Sequence, residues 1–260
     1  MTTPTPTPPP GRDLLRDKVV LVTAAAGTGI GSATALRCLE EGAEVAISDR
    51  HERRLAETAE RLAEQTGRKP LTVACDVTDE EQVQRMVAAT AETFGRLDVL
   101  VNNAGLGGSA NIMEMTDEQW STVLDVTLTG TFRCTRAALA VMAEQRSGVI
   151  VNNASVIGWR AQKEQAHYAA AKAGVMALTR CSAMDVAHLG IRVNAVSPSI
   201  AAHHFLAKVT TTELLDELAS REAFGRAAEP WEVATVIAFL ASDYSTYMTG
   251  EVVSVSSQHP

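Results

Sequence analysis

The sequence predicts an α/β fold: a single-domain, doubly wound parallel sheet of about seven strands with helices on both faces. Three observations predict it. Short apolar, β-branched runs alternate with longer stretches of helical periodicity along most of the chain. The 260 residues are 46% hydrophobic but only 4% aromatic, so Ala, Val, Leu and Ile must pack helices closely onto a sheet buried on both sides. Finally, glycines cluster between the first apolar run and the first helical pattern.

The elements follow in order. Residues 1–13 open Thr/Pro-rich and are expected to form a disordered tail, leaving 14–260 as the domain. Strands are predicted at 19–23, 44–49, 71–75, 99–102, 149–153, 192–197 and 252–255. The helix predicted over 52–65 carries Leu55, Ala59 and Leu62 on one face. Further helices are predicted over 31–41, about 83–94, 117–146, 168–189 and 230–240. Thr116 followed by Gln119 predicts a capping box at the start of the long one. The stretch 199–228 has a mixed pattern and is expected to form a lid. A strand–helix alternation this regular implies right-handed crossovers and a parallel sheet.

Composition removes several function classes. A net charge of −8 argues against nucleic acid as a partner, because phosphate binding needs a basic face. Cys38, Cys75, Cys134 and Cys181 are scattered, with no metal-ligand spacing, so no metal is predicted and reduced cytoplasmic thiols are expected. No apolar run reaches membrane-spanning length, and the tail lacks the pattern of a secretory signal.

The candidate site residues lie at strand ends. Gly27, Gly29, Ile30 and Gly31 turn the first strand into the first helix, where backbone N–H groups can meet a pyrophosphate. Asp49 ends the second strand, placed to accept from ribose hydroxyls and repel a 2′-phosphate, which favours NAD over NADP. A helix cap or a surface charge is the plain alternative for Asp49. Arg50 is placed to stack on adenine or meet a phosphate. Asp76, followed by Val77, either receives an adenine amino group or caps the next helix. Asn103, Ala104 and Gly105 suit a crowded backbone beside a cofactor. Tyr168 and Lys172, four apart, share one helix face, where the ammonium is expected to lower the phenol pKa. Ser155, just past the fifth strand, is placed to bond the same substrate oxygen.

Taken together, the glycine turn, Asp49, Asn-Asn-Ala-Gly (102–105), Ser155 and Tyr-Ala-Ala-Ala-Lys (168–172) resemble the short-chain dehydrogenase/reductase family. The resemblance runs from about Leu15 and implies a Rossmann fold. It implies Tyr168 as acid/base, Ser155 as the group orienting the substrate oxygen, and Lys172 as the holder of the nicotinamide ribose. Pro198 and Ile200 would border the nicotinamide by the same resemblance. A homotetramer is the assembly it implies.

Four stretches depart from the family pattern. Ala24 and Ala25 stand near its first glycine, and the turn is one residue longer. Thr127 stands where the family has an Asn that holds a water; its hydroxyl is expected to hold one in a different geometry. Ser199 replaces a Gly after Pro198, with His203 where a Thr is common. Ser256-Ser257-Gln258 replaces Asp-Gly-Gly.

Leu106, Trp159, Arg160, His203 and Phe205 are the substrate-facing candidates. His167 is expected to pack rather than react, since adjacent helical residues diverge. These strings resemble actinobacterial reductases of steroid-ring breakdown, which act on a ring hydroxyl of a bicyclic CoA thioester. A 3-oxoacyl-thioester reductase is the alternative substrate class. A dinucleotide-binding protein with impaired turnover is the alternative in kind.

Overall fold

The computed structural model describes residues 4–202 and 212–257. Seven parallel strands form one sheet in the order β3-β2-β1-β4-β5-β6-β7. They are β1 (Val19–Val22), β2 (Glu44–Asp49), β3 (Leu71–Ala74), β4 (Val99–Asn102), β5 (Gly148–Asn153), β6 (Ile191–Pro198) and β7 (Val252–Val255). The predicted fold class is therefore the observed one.

Side chains alternate across a strand, so each central strand feeds two cores. Val20, Val22, Val45, Ile47, Val99 and Val101 pack on one face with α1 (Ile30–Glu40) and α2 (Glu52–Thr66). Leu21, Ala46, Leu100 and Ile150 pack on the other with α3 (Glu80–Phe94). Burying one such Val, Leu or Ile contributes roughly 1.5–3 kcal/mol, which explains why these strands carry no polar alternation.

The long helix is a composite. α4 (Asp117–Leu124) passes through a π-helical turn, Asp125–Thr129, into α5 (Gly130–Gln145). The Thr116–Gln119 capping box closes its start as predicted. Helix α6 (Ala166–Val186) starts two residues before the expected Tyr168. Inside the mixed stretch lies an unpredicted helix, α7 (Thr212–Arg221), followed by α8 (Pro230–Ala241). Pro230 stands in the first turn of α8, and Glu229 and Glu232 form its capping box.

The tail is corrected from Pro9 onward. Residues 4–13 contain no helix or strand, but Arg37 donates to the Pro9 and Pro10 carbonyls (2.5 and 3.4 Å). Arg12 N and Leu14 N donate to the carboxylate of the fully buried Glu41 (2.7 and 3.0 Å). Arg37 also pairs with Glu41, so a buried ion pair grips the segment. No helix among the described residues is long and apolar enough to cross a membrane.

The strand order reverses between β1 and β4, and open α/β sheets bind ligands in the crevice outside the carboxyl ends of strands at such a point.

Candidate active site

The turn after β1 presents an anion cradle. Gly29 caps α1 without a side-chain hydrogen bond, and no acid stands in the first turn. The first N–H groups of α1 are thus left for an outside acceptor. At Gly31 a Cβ would lie 2.5 Å from both the Ala24 carbonyl and the Asn103 amide, so glycine is the residue that fits. The extra residue of the turn is taken up on α2. Gly27 sits at φ +94°, its N–H donates to Thr58 Oγ1 (2.9 Å), and its carbonyl accepts from Arg61 (2.5 Å). Ile30 begins α1.

Asp49 ties this turn to β2. Its carboxylate accepts from Ala26 N (3.3 Å) and His51 N (3.0 Å), leaving lone pairs for further donors. Arg50 beside it is exposed and reaches His51. Asp76 Oδ1 accepts from Thr78 N and Oγ1 (2.9 and 2.7 Å), and Asp79 rather than Asp76 caps α3, so the helix-cap alternative for Asp76 is corrected. The Val77 side chain is buried in the core, against Gly130 at the start of α5, because a Cβ at Gly130 would fall 2.7 Å from it.

Beyond β4, Asn103 N and Ala104 N both donate to Thr23 Oγ1 (3.0 and 3.1 Å). Gly105 lies under the lysine: a Cβ there would be 3.4 Å from Lys172 Nζ. The π turn brings Thr127 inward, fully buried. Its hydroxyl accepts from Leu106 N (3.0 Å) and donates to Leu106 O (3.2 Å). With its one proton committed to Leu106, this hydroxyl has one lone pair left and can meet a further group only as an acceptor.

Tyr168 and Ser155 are joined by a side-chain hydrogen bond, bringing the tip of β5 and the first turn of α6 together. Ser155 Oγ also approaches the Pro198 carbonyl (3.5 Å). Lys172, buried, puts Nζ 5.6 Å from the Tyr168 ring centre and donates to the Asn153 carbonyl (2.5 Å). Burial pushes the Tyr168 phenol up to about 12, partly offset by Ser155, and brings Lys172 down to about 8. The expected lowering of the phenol by the ammonium is therefore corrected: burial raises the phenol, and desolvation disfavours the charged form of both groups. A phenol held protonated beside a hydroxyl is suited to donate to an oxygen as that oxygen gains electrons.

His167 is buried, accepts from Tyr168 N through Nδ1 (2.9 Å), and has its pKa lowered by burial, which is the packing role expected. Ile200 O accepts from Ala228 N (2.9 Å), which ties the stretch after β6 to the approach to α8. Trp159 is exposed on the loop after Ser155, and Arg160 follows it. His203 and Phe205 lie outside the described residues. Among the described residues no group of metal-ligating side chains occurs.

Comparison with known proteins gives the same answer. A family model described as enoyl-(acyl carrier protein) reductase matches residues 24–257. The chain belongs to the short-chain dehydrogenase/reductase family. It is accordingly an oxidoreductase that uses a nicotinamide dinucleotide. A Mycobacterium tuberculosis protein named (5R,7aS)-5-hydroxy-7a-methyl-1-oxo-2,3,5,6,7,7a-hexahydro-1H-indene-carboxyl-CoA reductase is 65% identical over 96% of each chain. A 3-oxoacyl-[acyl-carrier-protein] reductase from Thermotoga maritima is 41% identical over 93% of this chain and 97% of its own. Among solved structures, a short chain dehydrogenase from Mycobacterium smegmatis is 60% identical over 99% of both chains, with a TM-score of 0.88. An NAD+-bound xylitol dehydrogenase is 33% identical over 94% of this chain and 99% of its own, with a TM-score of 0.87.

Two residues of this short-chain dehydrogenase/reductase were not singled out from sequence. Thr23 organises Asn103 and Ala104 through one hydroxyl. Asn153 joins Asn103 to Lys172. The only signal in the sequence was position, since both stand at the carboxyl ends of strands that meet the crevice.

Proposed function

We propose that this enzyme interconverts a ring hydroxyl and a ketone on a bicyclic, steroid-derived CoA thioester, with NAD(H) preferred over NADP(H). The observation that carries the chemistry is the Tyr168–Ser155 hydrogen bond beside the buried Lys172. The substrate class rests on the likeness to the mycobacterial indene-carboxyl-CoA reductase.

In this reading a dinucleotide supplies or takes a hydride at the substrate carbon. Ser155 and Tyr168 both donate to the substrate oxygen, and Tyr168 passes it a proton in the reductive direction. In oxidation Tyr168 must first lose that proton. Oxidised nicotinamide carries a positive charge, which favours the phenolate and works against the burial that holds Tyr168 near 12. Lys172 holds the nicotinamide ribose, and the Asn153 carbonyl fixes its ammonium. The free N–H groups of α1, with Gly27, Gly29 and Gly31, take the pyrophosphate. Asp49 accepts from the adenosine ribose through its remaining lone pairs, which underlies the NAD preference. Leu106 and Trp159 would border the substrate.

We also propose a homotetramer in the cytoplasm. Exposed Phe132 on α5 and Met184 on α6 give apolar surface for helix–helix association, and sedimentation velocity at micromolar concentration tests it.

The substrate test is a turnover panel with NADH and NADPH. It pairs bicyclic indanone-type ketones as CoA thioesters with their free acids, and includes linear 3-oxoacyl thioesters. Turnover of the bicyclic thioester well above the others is expected. Faster turnover of linear 3-oxoacyl thioesters would move the enzyme to the class of its Thermotoga maritima relative. Faster turnover with NADPH would remove Asp49 from its role.

A further inference from the structure

The nucleotide turn contains a strained residue. Ala24 sits at φ +49°, the left-handed region that favours glycine. Such a conformation persists where the surroundings over-determine it. Ala25 N donates to Ser48 O (2.9 Å) on the far side, and one side-chain amide holds the carbonyls on the near side. Asn103 Nδ2 donates to the carbonyls of Thr23 (3.2 Å) and Ala24 (3.0 Å). The same amide and the Ala24 carbonyl are the two atoms that crowd Gly31, so their placement sets where the first turn of α1 can sit.

Asn103 is oriented in turn from β5. Asn153 Nδ2 donates to Asn103 Oδ1 (3.0 Å), which fixes which end of the Asn103 amide faces Ala24. The Asn153 backbone carbonyl meanwhile accepts from Lys172 Nζ. The remaining side-chain atom, Asn153 Oδ1, is buried without a partner. An apolar residue would avoid that desolvation penalty, so the compensating gain of asparagine here is the donor it gives Asn103.

We propose that Asn153 is a positioning residue for the dinucleotide: it orients Asn103 so that the Ala24 turn keeps its anion-receiving shape, and it holds Lys172 from the same position. This rests on the reading that the turn receives the dinucleotide phosphates. The idea makes a specific pair of residues interdependent. Glycine needs no outside support at positive φ, so a glycine at position 24 should release the turn from its dependence on Asn153.

The experiment measures NADH binding by fluorescence titration, with thermal melting of each variant alongside. Asn153→Val removes the donor while suiting a strand and keeping the backbone carbonyl. It is expected to raise the NADH Kd about tenfold, the scale of one lost positioning hydrogen bond. Ala24→Gly alone is expected to stay within about twofold of wild type, and Ala24→Gly/Asn153→Val to return within about threefold. Asn153→Asp, of the same size but unable to donate when ionised, is expected to behave as Asn153→Val and serves if the valine variant does not fold. Binding by both Asn153 variants within about twofold of wild type overturns the proposal. So does a tenfold loss that Ala24→Gly leaves uncorrected, since that is how a merely structural Asn153 would behave. Wild type failing to bind NADH at all is a separate result, and it overturns the underlying dinucleotide reading.

Discussion

Two asparagine pairs stand one residue apart at the ends of β4 and β5 and face opposite sides of the sheet. Asn102 and Asn152 are in register and turn toward the helices. Asn102 donates to Asn152 (2.9 Å) and to Thr135 on α5 (3.0 Å), and Asn152 donates to Thr179 on α6 (2.9 Å). All four residues are buried. Asn103 and Asn153 turn toward the cleft instead: the Asn103 amide bonds the nucleotide turn, and the Asn153 amide bonds Asn103 while its backbone carbonyl accepts from Lys172. The same side-chain chemistry thus serves two ends. The inner pair ties α5 and α6 to the sheet, while the outer pair shapes the surface on which chemistry happens.

The contrast predicts that cleft-side changes move activity or binding, and core-side changes move stability. The largest effect is expected at Tyr168→Phe, where loss of the proton donor should lower kcat by about 10³-fold. NADH affinity should stay within about twofold, checked by steady-state kinetics beside a binding titration. Next comes Asn152→Val, which leaves a buried Asn102 N–H unpaired and should cost about 2 kcal/mol in urea unfolding. Its NADH affinity should be unchanged; a binding loss without a stability loss would break the division between the faces.

A third prediction concerns pH. Lys172 titrates near 8 in the fold against an ordinary 10.5, so the unfolded chain binds more protons between those values. Folding stability from this group is therefore penalised below pH 8 and recovers as pH rises toward 10.5. Tyr168 and the buried cysteines titrate upward and act oppositely, so the test is a difference between variants. Wild type should gain about 2 kcal/mol on Lys172→Met between pH 7 and 9.5. A constant difference across that range would place Lys172 in a wetter setting than the fold gives it. The smallest effect is expected at Asp49→Asn, where the NADH-to-NADPH preference should fall about fivefold. An unchanged ratio would assign the preference elsewhere.

Much of this arrangement was readable in the sequence because its signals are local. Val19–Val22 and Val99–Asn102 announce buried strands by unbroken apolar runs, and Tyr168 with Lys172 announce a shared face by spacing alone. What stayed hidden depends on distant partners or on backbone angles. Asn153 looks like ordinary turn chemistry until Asn103, fifty positions away, is placed against it. Thr127 reads as a lost asparagine, whereas the π turn commits its hydroxyl to Leu106. The rise in the Tyr168 pKa reflects desolvation, which spacing does not encode. Helix Thr212–Arg221 was missed because ten residues between mixed segments give too few turns for a period to stand out.

The grip of Arg37 and Glu41 on the chain around Pro9 to Leu14 has a practical consequence. The Glu41 carboxylate, with no solvent access, relies for solvation on Arg37 and on the amides of Arg12 and Leu14. Shortening the protein to Leu14, or grafting an affinity handle directly before it, would take the Arg12 amide from that carboxylate and the Pro9 and Pro10 carbonyls from Arg37. The first dozen residues, easily dismissed as a dispensable leader when the protein is prepared, belong to the folded unit from Pro9 onward.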